Sequence, residues 1–179
     1  HFNTEGDGLF SSITSPRPYL THLAMVVMLK RDGKTFPVVV EMSLIGIRAI
    51  PLSTYLHPDM LAYAEVYRAN DRNKVDGWYQ QVSNVVEGFL EKHHAYDFNS
   101  NEETRHAITC AELGNYFREE LDLAPVPILA EIKGRMHKNL RKVGFYVERM
   151  LTPSDYLMNE NYRYLGLIDN NKLRSISLN

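Results

Sequence analysis

The dipeptide Asp32-Gly33 lies between two apolar runs and constrains the fold more than any other feature of this sequence. His22 to Lys30 is rich in Val, Met and Leu, and Phe36 to Glu41 carries three consecutive valines. An Asp-Gly step between two such runs supplies the left-handed pair that a tight hairpin turn requires. Residues 22–42 are therefore expected to form a β-hairpin. The turn also sets a register: with Asp32 and Gly33 as the two loop residues, Ala24 faces Glu41 and His22 faces Ser43. Directly opposed side chains share a sheet face, and so do positions two apart along a strand. Glu41 then lies diagonally from His22 on one face.

The rest of the chain builds around that hairpin. Gly6, Gly8 and the Ser11–Ser15 stretch with Pro16 and Pro18 read as loop. Further extended segments are expected at Ile47–Ile50, ended by Pro51, and at Tyr63–Arg68. Val75, Trp78, Tyr79, Val82, Val85, Val86 and Phe89 recur at three- and four-residue spacings, which predicts a helix over 70–92. A polar stretch, Asp97 to Arg105, leads to a second helix striped by Leu113, Tyr116, Phe117 and Leu121 and ended by Pro125 and Pro127. Residues 128–142 are expected to be a basic helix or excursion. Phe145–Met150 and Tyr162–Ile168 read as strands, with Pro153–Leu157 a short turn or helix between them. The expected class is α+β, one domain over 1–179, with a curved, mostly antiparallel sheet packed on helices.

Composition excludes several classes. Hydrophobic residues make up 44 % of the 179 positions, ordinary for a folded domain and too many for a disordered chain. The net charge of −2 argues against a protein that works by gripping phosphate backbones, so no nucleic-acid partner is expected. The longest apolar run, Leu23 to Leu29, has seven residues, against the roughly 20 of a spanning helix. No signal-peptide pattern is visible, and the sequence opens on His1 rather than Met, which leaves location open. Neither the oligomeric state nor the redox compartment follows from such a composition.

The single cysteine forms no intramolecular disulfide and no multi-cysteine zinc site. Its setting is more informative than its number. Thr109-Cys110-Ala111-Glu112 fits a capping box, a Thr with Glu three residues later, just before a helical stripe. Cys110 would then be the first helical residue, beside free backbone N–H groups and the positive end of the helix dipole. That placement favours thiolate over thiol and leaves donors for a developing oxyanion. The plainer alternative is a small buried hydrophobe, as most lone cysteines are.

A thiolate nucleophile needs a base, and His22 at the mouth of the first hairpin strand is the best placed of seven histidines. Glu41 on the same face would orient the imidazole and stabilise its protonated form. The alternative for Glu41 is a solvated edge-strand carboxylate. His106, four residues before Cys110, lies ahead of the expected helix start and has no further ligands arranged nearby, so no metal is expected. His93-His94 adjoins Glu91 and Lys92 as a solvated helix end, His57 precedes Pro58 in a loop, and His137 falls in a basic stretch. That stretch, 131–142, reads as a solvated face, because the chain as a whole is slightly acidic. Trp78 and its aromatic neighbours read as core rather than as a stacking platform.

The order of these motifs resembles a known family. Gly6-Asp7-Gly8-Leu9-Phe10 is similar to the Gly-Asp-hydrophobic opening of the YiiX/YebB-like hydrolases, circularly permuted relatives of the NlpC-type and papain-like cysteine peptidases. Thr21-His22-Leu23-Ala24-Met25-Val26-Val27 resembles their His-bearing strand, and Val39-Val40-Glu41-Met42 the next strand, which carries a Glu. Ile50-Pro51-Leu52-Ser53, Tyr96-Asp97-Phe98-Asn99, Cys110-Ala111-Glu112-Leu113 and Leu151-Thr152-Pro153-Ser154-Asp155 are similar to later family segments in the same order. The resemblance spans about residues 6–157, and its specificity lies in the shared order.

It implies a circularly permuted papain-like, NlpC-type fold in which His precedes Cys. Carried over, Cys110 is nucleophile, His22 base and acid, Glu41 the orienting group, and Tyr96 a substrate-binding residue near the cleft. Ala111 stands where the family usually has Ser, and Leu23-Ala24 where it usually has Val-Gly. Neither change removes a catalytic atom, but Ala24 narrows the space beside His22, so the family's substrate habits need not transfer. The implied activity is cofactor-free hydrolysis of an amide through a thioester, on a peptide, a cell-wall peptide or a lipid amide. The alternatives are an acyltransferase or thioesterase acting on lipids with the same triad, or a non-catalytic binding module that retains the fold. A bacterial cell-envelope location, periplasmic or secreted, is favoured over the cytoplasm.

Overall fold

Two left-handed residues close the first hairpin: Asp32 has φ 51° and Gly33 φ 72°, the conformation an Asp-Gly turn supplies at little steric cost. The structure, a computed structural model, describes residues 22–92, 94–96, 107–128, 142 and 151–170. Strand β1 (Ala24–Arg31) pairs antiparallel with β2 (Lys34–Ser43), and Ala24 faces Glu41, the register that the two-residue loop demands. A second two-residue connection, Leu44-Ile45, brings β3 (Gly46–Pro51) back along β2, with Glu41 facing Arg48. The sheet order is β1-β2-β3. The central strand is the one with the valine run, and Val38 to Met42 are all buried. A strand covered on both faces reads as a continuous apolar run rather than an alternation.

Pro51 ends β3 and precedes a one-turn helix, α1 (Leu52–Tyr55). Strand β4 (Tyr63–Ala69) follows and pairs antiparallel with β7 (Tyr162–Asp169). A register shift between Val66 and Tyr67 marks a bulge, with Leu165 the extra residue on β7. This ribbon is a separate sheet, so the single curved sheet expected from the sequence is divided among the described residues.

The helix expected over 70–92 is broken. A 3₁₀ turn covers Asp71–Lys74, and helix α2 runs Trp78–Glu91. Gly77 separates them in the left-handed region, with φ 63°. Helix α2 buries Val82, Ser83, Val86 and Phe89 against β1, while Tyr79 lies outside the stripe and is exposed. Of the expected stripe, Val82, Val86 and Phe89 are buried, Trp78 and Val85 pack against that core, and Val75 lies ahead of α2, while Ser83 is buried outside the stripe.

Helix α3 (Cys110–Glu119) packs on β1 and β2. It stops before Pro125, earlier than the prolines suggest, because Asp122 adopts a left-handed φ of 53°. Leu113, Phe117 and Leu121 enter the same core as Val40, Met42 and Val86. Each such side chain stabilises the fold by about 1.5–3 kcal/mol on transfer from water. Behind α3, Arg118 and Asp71 form a buried ion pair at 2.5 Å, and Arg118 also donates to the Ala124 carbonyl and to the Tyr162 hydroxyl. This network ties α3 to the 3₁₀ turn and to β7.

A short helix, α4 (Pro153–Leu157), is capped by Thr152 and Asp155 and presents Tyr156 to α3. Residues 95–96 (β5) and 107–108 (β6) form a two-residue parallel pair. The loop expected over 6–18, the polar stretch 97–105, nearly all of the basic segment 131–142, and the strand expected at 145–150 lie outside the described residues. No described helix is long and apolar enough to cross a membrane.

Candidate functional site

The N-terminus of α3 is built as its sequence requires. Thr109 is the N-cap in extended conformation (φ −83°, ψ 170°). Its hydroxyl accepts from the Glu112 N–H at 3.2 Å, and its own N–H donates to Glu112 Oε2 at 2.6 Å. This reciprocal box makes Cys110 the first helical residue and directs its backbone N–H out of the helix end. Cys110 is 7 % exposed and belongs to the core cluster. It is also among the groups that raise the His22 pKa.

The hairpin register delivers the second contact. His22 lies two residues ahead of β1, outside the strand expected to contain it, and its Nε2 is 2.8 Å from Glu41 Oε2. His22 keeps 37 % of its side chain exposed and Glu41 only 4 %. The site is therefore open at the imidazole and closed at the carboxylate. Glu41 is no solvated edge residue; it sits on the central strand.

Burial works against both charges, and the partners overcome it. Desolvation pulls the imidazole of His22 down. The charge of Cys110, the hydrogen bond to it and then Glu41 outweigh that and hold His22 at about 10, against an ordinary 6.5. Desolvation pushes the Glu41 carboxyl up, but the hydrogen bond and charge of His22, followed by those of Arg48, hold it down at about 2. His22 and Glu41 are thus a charge-coupled pair, and the charge of Cys110 acts on the histidine.

Two members of the site were not expected from the sequence. Arg48 donates through Nε to Glu41 Oε1 at 2.6 Å, and its Nη2 forms an ion pair with the same oxygen. Tyr55 donates its hydroxyl to Glu41 Oε2 at 3.1 Å. Burial and then the Glu41 charge push the Tyr55 phenol well above its ordinary range, so it remains a donor. The missed signal was a second hairpin. A two-residue Leu44-Ile45 loop places Arg48 directly across from Glu41, an opposite-charge cross-strand pair of the kind that stabilises sheets.

The remaining candidates are dispersed. The backbone of Tyr96 pairs with Ile108, two residues ahead of Cys110. His57 sits in an exposed loop beside Asp59, at 3.4 Å. His94 packs edge-on to Phe89. His93, His106 and His137 lie outside the described residues. Among the described residues no three His, Cys, Asp or Glu side chains gather as a metal-binding group, and both Glu41 oxygens are engaged by His22, Tyr55 and Arg48.

No protein-family model and no curated protein matches the chain. Among solved structures it is similar to the crystal structure of metalloprotein yiiX from Escherichia coli O157:H7, with a TM-score of 0.65 and 14 % identity, over 94 % of this chain and 92 % of that one. At this identity the likeness concerns the fold. The chain has a YiiX-like α+β fold with antiparallel sheets and a few helices.

Proposed function

We propose that this chain is a cysteine hydrolase that cleaves an amide, in a peptide or an acyl amide, through Cys110, His22 and Glu41. The observation that supports it most directly is the row itself: a cysteine opening a capped helix, joined to a histidine whose Nε2 is 2.8 Å from a buried glutamate. On this reading the fold is a permuted papain-like, NlpC-type domain spanning 1–179, with the histidine strand ahead of the nucleophile helix. Tyr96 is the substrate-side residue, because its backbone is tied to the strand that leads into Cys110.

The chemistry follows from the charges. Cys110 starts as thiolate beside the His22 imidazolium. The thiolate attacks the carbonyl carbon, and the oxyanion is held by the Cys110 backbone N–H at the helix end. Collapse breaks the carbon–nitrogen bond, and His22 gives its proton to the departing amine. A thioester remains. Water attacks it while His22 takes one proton, and the carboxylic acid leaves as the thiolate and imidazolium are restored. Glu41 keeps the ring oriented and its cation stabilised throughout.

The test is capture of the thioester. Incubation with a p-nitrophenyl acyl ester is expected to give a burst equal to the protein concentration and a mass gain of one acyl group on Cys110. Cys110→Ala and His22→Ala are expected to lose both, and Glu41→Gln to lose less than either. A full burst in Cys110→Ala overturns the proposal. Transfer of the acyl group to an added amine or lysolipid in preference to water assigns the site to the acyltransferase alternative.

A further inference from the structure

We infer that Arg48 and Tyr55 are positioning residues of this site, a two-sided clamp that holds Glu41 ionised and in one orientation so that His22 is held by a fixed anion. The inference rests on the cysteine-hydrolase reading and extends it to the residues that hold Glu41. Glu41 is buried on the central strand with both oxygens engaged. Oε1 takes Arg48 through Nε and Nη2, and Oε2 takes His22 Nε2 and the Tyr55 hydroxyl. A carboxylate with a single partner can rotate about its last bond and offer either oxygen. One whose two oxygens hold different partners cannot, because turning it breaks the Arg48 contacts at Oε1 and those of His22 and Tyr55 at Oε2. Oε2 is then aimed at the imidazole, and Tyr55 fills the lone-pair direction that His22 leaves open.

The elements carrying the clamp suit this task. Arg48 comes from the directly opposed position on β3. Tyr55 comes from α1, which Pro51 starts at the end of the same strand. Both therefore move with the sheet that carries Glu41. Arg48 retains a third of its side-chain surface, so its stem crosses the rim of the sheet while its head is spent on Glu41. Glu41 is thereby held on three sides, by His22, Arg48 and Tyr55.

A clamp of this kind has a signature that simple packing lacks. Removing the guanidinium raises the pH at which Glu41 protonates, because a neighbouring cation lowers a carboxyl pKa by about one to three units. The experiment is a carboxyl-carbon NMR titration of Glu41 in the full chain, with the p-nitrophenyl ester burst measured alongside. In Arg48→Gln the Glu41 midpoint is expected to rise by about one unit or more and the burst rate to fall. Arg48→Lys is expected to recover most of the midpoint but not the burst rate, since it restores charge without the fork. Tyr55→Phe is expected to move the midpoint in the same direction by less.

An unmoved Glu41 midpoint in both Arg48→Gln and Tyr55→Phe overturns the clamp. A moved midpoint in a chain whose wild type shows no burst supports the clamp and removes the hydrolase reading, so the two failures are read separately.

Discussion

Alkylation of Cys110 by iodoacetamide, followed as a rate against pH, tests the ion pair at the centre of the site. An ordinary thiol with a pKa near 8.5 is about 0.3 % thiolate at pH 6 and half thiolate at pH 8.5, so its labelling rate climbs about 160-fold between them. His22 holds its proton up to about 10. It therefore stays protonated between pH 6 and pH 8.5. The sign is set by the direction of the shift: a histidine raised by its partners keeps its charge at low pH and loses it as pH rises through the folded value. On the proposed mechanism the thiolate beside it keeps its counter-ion through the whole window. The wild-type profile is therefore expected to be a plateau, with less than a twofold change from pH 6 to 8.5, and His22→Ala is expected to restore the ordinary climb. Absolute rates are a poor guide, because a stabilised thiolate is also a weaker nucleophile and the sulfur is buried; the shape of the profile decides. A wild-type rate that rises about a hundredfold over this window, parallel to a free thiol, refutes the ion pair and the mechanism built on it.

Two predictions concern what holds the nucleophile helix in place. A Cβ on Gly114 would lie 2.4 Å from the Tyr156 hydroxyl and 2.8 Å from its ring, and that hydroxyl donates to the Ala111 carbonyl at 2.7 Å. Gly114→Ala is expected to destabilise by about 2 kcal/mol despite alanine's better helix propensity, a fall of about 4–8 °C in thermal midpoint; no fall means that α4 adjusts freely. Asp71→Ala strands Arg118, whose side chain is 3 % exposed, and is expected to cost about 3–5 kcal/mol in chemical denaturation. The double variant Asp71→Leu with Arg118→Met is expected to cost less than Asp71→Ala alone, and an additive loss in the double overturns that account of the pair.

The parts of the fold legible in the sequence are those fixed by local chemistry. Asp32-Gly33 allows few turns, and once the turn is set the facing of Ala24 and Glu41 is arithmetic. Thr109 and Glu112 cap α3 through atoms three residues apart. The breaks were less legible because they depend on single backbone angles. Gly77 in the left-handed region cuts the helix expected over 70–92, although an isolated glycine in a helical pattern is often tolerated. Asp122 ends the course of α3 ahead of Pro125 in the same way, and a positive φ at aspartate carries no sequence signature beyond the residue type. The division of the sheet was hidden too, since β4 and β7 pair across 92 intervening positions (70 to 161) that no local pattern connects.

The site divides along the same line, and the division explains what the clamp adds. Glu41 could be placed near His22 from one turn, but its burial could not, because a glutamate at the end of a valine run is equally consistent with an exposed edge. What makes burial affordable lies on two other elements. A carboxylate with 4 % exposure is costly to keep charged unless several donors replace water, and His22 alone supplies one. Arg48 and Tyr55 supply the rest, so a buried Glu41 on the central strand entails a cation and a donor behind it. Once β2 is seen to be central, the question of what neutralises Glu41 has its answer on the neighbouring strand. His22 is then held at Nε2 by a carboxylate whose other contacts lie within the sheet and α1.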